Sequence, residues 1–368
     1  MKFLQGNIAC VEGALKAGCD FYAGYPITPS SEIMNAMARR MPARGGTFVQ
    51  MEDEIASIAA VIGASWTGAK AMTATSGPGL TLMLENIGYA YATETPCVIV
   101  DVQRCGPSTG QATRPGQGDV MQPRFGASGD YEAIALAPWS VQEMFEMTAR
   151  AFALAQEYRR PVFVLTDELI AHLREMVNLD VPIEPVDPIA VSDRPPFGDE
   201  KTCEPTPMPR FGTGRKLLVT GSTHDEWGYR RTTDSAVQAR LVERITGKVV
   251  RDRAKLAEVE QYNTDDAEVV LVSFGCSARS SHAAMRLARE EGRKVGLLRL
   301  KTLWPFAQEK IREISGSAKK LVVVEMNRGM MRREVERFSS AEVIGCHKTA
   351  GEPIRPMEIL EVIKDACA

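Results

Sequence analysis

Short apolar runs alternate with longer amphipathic segments along most of the chain, which predicts strands alternating with helices. Residues 162–166 and 269–274 are typical of the apolar runs, and residues 141–158 are typical of the amphipathic ones. Strands without a polar face are buried under helices on both sides, as in doubly wound, mostly parallel α/β sheets. The alternation is interrupted after residue 181, where eight prolines fall within residues 182–209 and mark a connection.

The pattern therefore predicts two α/β domains joined by a long connection. We expect the first domain at residues 1–181, a Pro-rich connection at 182–233 and the second domain at 234–368. A chain of 368 residues is long enough to give each domain a core of its own.

Composition excludes several classes of protein. A net charge of −3 gives no reason to expect a nucleic acid or an anionic membrane as partner. No apolar run approaches the roughly 18 residues of a membrane-spanning helix. The first residues turn polar too early for a signal peptide, so we expect a cytoplasmic protein. The eight cysteines include no Cys-x-x-Cys pair, which argues against an iron–sulfur cluster or zinc site held by this chain alone.

Three consecutive acids, residues 52–54, precede the uncharged residues 55–69. A helix without a polar face is expected to be buried on all sides. The first two acids are interpreted as charges that favour a helix N-terminus. Glu54 differs because its neighbours one and two turns on are Ile58 and Val61, so it points along an apolar strip. A carboxyl in such surroundings has a raised pKa and can exchange a proton near neutral pH.

Two more segments stand at the carboxyl ends of predicted strands, where open α/β sheets bind ligands. In one, Thr28 is expected to cap a helix and Pro29 to be its first residue, so that the free N–H groups of the turn can hold a carboxylate or phosphate. In the other, Arg104 offers a planar fork for a carboxylate. A plain strand–helix junction and a surface arginine are the alternatives. With Glu54, the two segments predict a pocket for a small acid.

These segments resemble the alpha subunits of 2-oxoacid:ferredoxin oxidoreductases, the 2-oxoglutarate type in particular, and the resemblance extends over nearly the whole chain. The motifs that carry it are Tyr25-Pro26-Ile27-Thr28-Pro29-Ser30-Ser31-Glu32, Met51-Glu52-Asp53-Glu54, Thr75-Ser76-Gly77-Pro78-Gly79, Gln103-Arg104-Cys105-Gly106-Pro107-Ser108-Thr109-Gly110, Leu297-Leu298-Arg299-Leu300-Lys301-Thr302-Leu303-Trp304-Pro305-Phe306 and Val324-Glu325-Met326-Asn327.

The resemblance implies a thiamine diphosphate enzyme in which a pyrimidine-binding domain precedes a transketolase C-terminal-like domain. It implies that Glu54 bonds N1′ of the aminopyrimidine and that Pro26 and Thr28 also contact the cofactor. Arg104 and Thr28 would hold the carboxylate and C2 oxygen of the substrate. The implied reaction is the oxidative, reversible decarboxylation of a 2-oxoacid, with 2-oxoglutarate preferred, that converts coenzyme A to acyl-CoA and releases CO2 and reduced ferredoxin.

The resemblance also implies a beta subunit. The Gly-Asp-Gly segment that holds Mg2+ and the diphosphate in related enzymes does not occur in this sequence. Since the cysteine spacing also excludes a [4Fe-4S] cluster, both sites are expected in the beta subunit. Separate gamma and delta subunits, together with ferredoxin, are further expected partners.

Other functions remain open from the sequence. The same chemistry could act on pyruvate, branched-chain or aryl 2-oxoacids, and Arg114 and Arg124 could meet a second substrate carboxylate or lie on the surface. The beta chain of a lipoamide-linked 2-oxoacid dehydrogenase would have the same pair of domains. A non-catalytic scaffold subunit would retain the fold without the site.

Overall fold

The computed structural model describes residues 1–183, 193–198 and 204–367, so Pro185, Pro188 and Cys203 of the predicted connection lie outside the described residues. Its strands are β1 Lys2–Gln5, β2 Phe21–Gly24, β3 Thr47–Gln50, β4 Ala71–Thr75, β5 Cys97–Cys105, β6 Gln111–Pro115, β7 Ile134–Leu136, β8 Pro161–Asp167, β9 Arg174–Val177, β10 Val259–Tyr262, β11 Val269–Ser273, β12 Val295–Leu300, β13 Thr302–Trp304, β14 Lys320–Glu325 and β15 Glu342–His347.

The helices alternate with these strands through both halves of the chain. They are α1 Gly6–Lys16, α2 Ser31–Arg40, the short 3-10 helix Pro42–Arg44, α3 Glu54–Trp66, α4 Gly77–Ala92, α5 Gln122–Phe125, α6 Val141–Tyr158, α7 Glu168–His172, α8 Ser235–Arg251, α9 Arg253–Leu256, α10 Gly275–Glu290, α11 Gln308–Ser315, α12 Met330–Phe338 and α13 Pro356–Cys367.

The first half forms an eight-stranded sheet in the order β13-β7-β8-β5-β4-β2-β3, with β6 paired to β5. Its strands from β7 to β3 are all parallel. At one edge β13, which comes from the second half of the chain, pairs antiparallel with β7. Alternate residues of β5 enter different apolar cores, with Val98 and Val100 on one face and Cys97 and Ile99 on the other. The predicted sheet covered on both faces is confirmed.

The second half forms a five-stranded sheet in the order β10-β12-β11-β14-β15, in which only β10 is antiparallel to its neighbour. Helix α8 packs against the first half, because Arg244 and Lys248 pair with the buried Glu94 at 2.7 and 2.6 Å. Within the described ranges, no helix is long and apolar enough to cross a membrane.

A buried polar junction joins the two halves. Gln117 Oε1 accepts hydrogen bonds from Ser277 Oγ at 2.9 Å and from the Met326 backbone N–H at 3.0 Å. Asp167 at the end of β8 accepts from the Cys276 backbone N–H at 2.8 Å. Buried polar groups that bond only to one another tolerate little displacement, since each orphaned group loses its hydration as well as its partner. The junction therefore sets the position of the second sheet relative to the first.

We expect Gly275→Ala to loosen this junction. Gly275 has a φ of +53°, and a Cβ there would lie 2.6 Å from Asp167 Oδ2. The left-handed backbone costs a non-glycine residue about 1–2 kcal/mol, and displacing a buried hydrogen-bonded carboxylate costs ~1–3 kcal/mol more. The melting temperature should therefore fall well below that of Gly292→Ala. Gly292 is the matched control, because its φ is +82° and its Cβ would meet nothing within 4 Å. Equal melting temperatures for the two variants would contradict the junction's role.

Candidate functional site

Glu54 is the first residue of α3 and is only 5% exposed. Asp53 caps the helix, since its Oδ1 accepts a hydrogen bond from the Ala56 N–H at 2.7 Å. Ile58 and Val61, the neighbours that the helical spacing assigned to Glu54, are fully buried. Asp53 thus acts at the helix start as interpreted, while Glu54 faces the protein interior.

Helix α3 is not buried on all sides, so that prediction is wrong for this chain. Ile55 is 45% exposed and Ala59 is also exposed. On the neighbouring α4, Leu82 is 49% exposed, and Tyr25 of the loop after β2 is 38% exposed. Among the described residues no element covers this apolar strip, which begins one residue after Glu54. Ile55 and Ala59 lie one turn apart on the same face of α3, and exposed apolar residues of this kind are typical of protein–protein contacts.

The Glu54 carboxyl lies against the start of α4. A Cβ on Gly79 would be 2.5 Å from Glu54 Oε1 and 2.1 Å from Thr75 Oγ1, so only glycine leaves room for the two side chains. Burial raises the pKa of Glu54, and Asp53 adds to the rise while Arg104 opposes it. A carboxyl with a raised pKa is suited to give and take a proton near neutral pH.

Arg104 lies near the end of β5 and is 8% exposed. Its Nη1 donates to the Thr28 carbonyl oxygen at 2.8 Å, whereas its buried Nε has no hydrogen-bond partner. The structure therefore brings Thr28 and Arg104 together, and Arg104 is close enough to Glu54 to lower its pKa.

Thr28 does not cap a helix, which corrects the predicted helix start. Helix α2 begins at Ser31, and its N-cap residue is Ser30. The Ser30 N–H donates to the Ile27 carbonyl at 2.9 Å, so a turn occupies one of the groups that was expected to be free for an anion. Thr28 is exposed in this turn, as is Pro26 in the loop before it.

Two acids next to Arg104 were not predicted from the sequence. Asp101 of β5 is fully buried, whereas Asp119, which follows β6, is half-buried with a buried Oδ2. Burial raises the pKa of Asp119 to about 6 and that of Asp101 well above its ordinary value. A signal was present, since Asp101 is the one charged residue in the apolar run 97–102. Asp119 is separated from β5 in the sequence and has no such signal, because only the fold brings it next to Asp101.

A cavity of about 670 Å³ opens beside Arg104 and Asp119, between the β5–β6 hairpin and the second half of the chain. Its far wall contains Arg328 and Lys348. This volume is typical of cavities that hold small-molecule ligands.

Arg124 is engaged elsewhere, in an ion pair with Glu132 at 3.0 Å. Within the described part of the chain, no three His, Cys, Asp or Glu side chains are grouped to hold a metal.

Family models match both halves of the chain. The model described as pyruvate flavodoxin/ferredoxin oxidoreductase, thiamine diphosphate-binding, matches residues 12–244, and the model for core domain II of pyruvate:ferredoxin oxidoreductase matches residues 267–359. The fold and the site thus define a thiamine diphosphate-binding α/β protein. The chain belongs to the pyruvate flavodoxin/ferredoxin oxidoreductase family, which confirms the resemblance found in the motifs.

The chain is also similar over its full length to named subunits. It is 50% identical to the 2-oxoglutarate synthase subunit KorA of Methanothermobacter marburgensis, with 98% of each chain covered. Identity to the KorA subunit of Methanocaldococcus jannaschii is 51%, again with 98% of each covered. Identity to the ketoisovalerate oxidoreductase subunit VorB of Methanothermobacter thermautotrophicus is lower, 38% over 99% of this chain and 97% of VorB.

A solved structure of 2-oxoglutarate:ferredoxin oxidoreductase from Magnetococcus marinus, with 2-oxoglutarate, coenzyme A and succinyl-CoA bound, superposes with a TM-score of 0.93 at 31% identity. The match covers all of this chain and 65% of that one. A split-gene transketolase, an inactive beta4 tetramer, matches with a TM-score of 0.54 at 12% identity over 98% of this chain and 96% of its own. The latter likeness concerns the fold alone.

We expect Gly79→Ala to displace the Glu54 carboxyl and thereby to weaken the binding of thiamine diphosphate. The new methyl group must displace the Glu54 carboxyl or Thr75 Oγ1, whose positions it would overlap. The affinity for thiamine diphosphate, measured by calorimetry on the assembled complex, should fall at least ~10-fold, as a lost charge-assisted hydrogen bond would require. Gly88→Ala in the same helix is the control, because its Cβ would meet only the Ala127 methyl group, at 3.1 Å. Equal cofactor affinity in both variants would show that the position of the Glu54 carboxyl against Gly79 does not matter for cofactor binding.

Proposed function

We propose that this chain is the alpha subunit of a 2-oxoglutarate:ferredoxin oxidoreductase that acts in the cytoplasm. The enzyme converts 2-oxoglutarate and coenzyme A to acyl-CoA and CO2 and reduces ferredoxin. The assignment of 2-oxoglutarate as the substrate is supported by sequence identity over the full length. Identity is 50% and 51% to two chains named 2-oxoglutarate synthase subunit KorA, compared with 38% to VorB. These relatives do not favour a lipoamide-linked dehydrogenase chain or a non-catalytic scaffold.

Glu54 is the residue to which we assign the pyrimidine ring of the cofactor. When bound, thiamine diphosphate supplies the carbon nucleophile for the 2-oxo group and takes up the negative charge left by departing CO2. The cradle fits this group, because Gly79 admits the Glu54 carboxyl at the start of α4 and the strip beside it is apolar. Burial raises the pKa of Glu54, which favours a carboxyl that shares a proton with N1′.

Arg104 and Thr28 are assigned to the substrate, and Pro26 with Thr28 to the cofactor. The bond from Arg104 Nη1 to the Thr28 carbonyl fixes the guanidinium, whose Nε is left without a partner. A carboxylate is the natural acceptor for a partly satisfied guanidinium fork. The exposed Thr28 and Pro26 line the same loop, where their side chains are free to meet ligands.

A beta subunit is assigned to the apolar strip of Ile55, Ala59 and Leu82. Covering this strip would exclude water from the edge of the Glu54 site and strengthen its electrostatics. We assign Mg2+, the diphosphate contacts and the [4Fe-4S] cluster to that subunit, and we propose separate gamma and delta subunits.

The proposed domain boundaries remain 1–181 and 234–368, although helix α8 packs on the first half.

The central role of Glu54 is tested with Glu54→Gln in the complex of all subunits. The amide keeps the shape but cannot exchange a proton, so 2-oxoglutarate-dependent reduction of a viologen dye should fall by about 10²- to 10⁴-fold. Glu52→Gln changes an exposed acid two residues away and should retain nearly full activity. Full activity in Glu54→Gln would make the assignment wrong.

The substrate is tested with a panel of 2-oxoacids. We expect kcat/KM with coenzyme A to be highest for 2-oxoglutarate and lower for pyruvate, branched-chain and aryl 2-oxoacids. A preference for a branched-chain acid would move the assignment toward the VorB type. A complex without iron that reduces lipoamide and not the viologen would overturn the ferredoxin-linked reaction.

A further inference from the structure

Two carboxyl groups beside Arg104 face each other without a hydrogen-bond donor between them. Asp101 is fully buried, and neither of its carboxyl oxygens has a partner. Asp119 Oδ1 accepts from Gln122 Nε2 at 3.0 Å, but its buried Oδ2 has no donor. The two carboxyls lie within hydrogen-bonding reach of each other.

The surroundings offer the pair little compensation. In the sheet, the residues in register with Asp101 are Thr75 on β4 and Leu165 on β8, neither of which carries charge. Helix α4 contributes the backbone of Gly77, where a Cβ would lie 2.9 Å from both oxygens of Asp119. Among the described residues that act on the pair, Arg104 is the one cation, and it also acts on Glu54.

Two carboxylates in contact, one fully buried and the other with a buried Oδ2, cannot both be ionised at low cost. A proton carried by one of them would supply the missing donor and remove one negative charge, as in other acid pairs that titrate as a unit. The three carboxyl oxygens without a donor, both of Asp101 and Oδ2 of Asp119, are the observation that calls for one proton. Burial and the neighbouring acid act in the same direction, raising the pKa of Asp101.

We propose that Asp101 and Asp119 share one proton at neutral pH, and that this proton leaves the positive charge of Arg104 available for the carboxylate of the substrate. The inference rests on the proposed function, since it concerns the same 2-oxoacid site. If Glu54 and both aspartates were ionised, three negative charges would face one guanidinium, and an anionic substrate would be repelled. The aspartates act through Arg104 and are positioning residues.

The proposal makes KM for the 2-oxoacid depend on pH. An acid with a raised pKa loses its proton only above the ordinary carboxyl range, so the pair carries one negative charge at neutral pH and two at alkaline pH. Substrate affinity should decline as the last proton leaves. In the wild-type complex we expect KM for 2-oxoglutarate to rise by roughly fivefold or more between neutral and alkaline pH.

The test compares this rise with that in Asp101→Asn and Asp119→Asn, measured in the complete complex. Either amide can donate to the remaining carboxylate, so the pair keeps one negative charge at every pH above that acid's pKa. Both variants should bind 2-oxoglutarate at neutral pH within about threefold of wild type and show no rise in KM. Asp20→Asn is the control. Asp20 lies at the opposite end of β2 and accepts a hydrogen bond from the Lys70 N–H at 2.7 Å. In this variant KM should rise with pH as it does in the wild type.

A rise in KM that persists in both asparagine variants, or a wild-type KM that stays flat while 2-oxoglutarate is turned over, overturns the shared proton and leaves the proposed function intact.

Because the variants could fail to fold, infrared spectra of the wild-type complex provide an independent measurement. They should show a buried protonated carboxyl that persists at neutral pH in Glu54→Gln, and its absence also overturns the proposal. If no 2-oxoacid is turned over, the proposed function fails, and the infrared result alone decides the shared proton.

Discussion

The contact between the first residue of α3 and the first turn of α4 is the constraint on which the site depends. Glu54 can face the interior only because Gly79 has no side chain, and Thr75 fills the space on the other side. Thr75 ends β4 and Gly79 lies in the first turn of α4, which follows that strand, so the parallel sheet determines where the carboxyl lies. Burial at this contact raises the pKa of Glu54, which converts a packing feature into an acid–base property.

Charge around Arg104 is the second determinant. One guanidinium acts on three carboxyls, those of Glu54, Asp101 and Asp119, and burial raises the pKa of all three. Raised pKa values move these acids toward their neutral forms, which leaves more of the positive charge of Arg104 for an anion. The shifts arise from burial, since Arg104 opposes them.

The open side of the site connects the fold to the assembly. The apolar strip of Ile55, Ala59 and Leu82 begins next to Glu54, and in this chain it is exposed. The relatives that match the chain along its length are named as subunits. Under the proposed function, a beta subunit packed on this strip would complete the desolvation of Glu54 and so couple assembly to activity.

The sequence by itself determined the alternation of elements, the fold class and the family, because periodicity and ordered motifs are properties of neighbours along the chain. The spacing of Ile58 and Val61 identified the side of α3 on which Glu54 lies. Only the tertiary structure decided that the opposite side of that helix is exposed, that a turn replaces the cap expected at Thr28, and that Asp119 meets Asp101. These features depend on which elements pack together and on what remains uncovered. The order and pairing of the strands in the sheet set the distances between residues far apart in the chain. A local sequence pattern contains no information about that pairing.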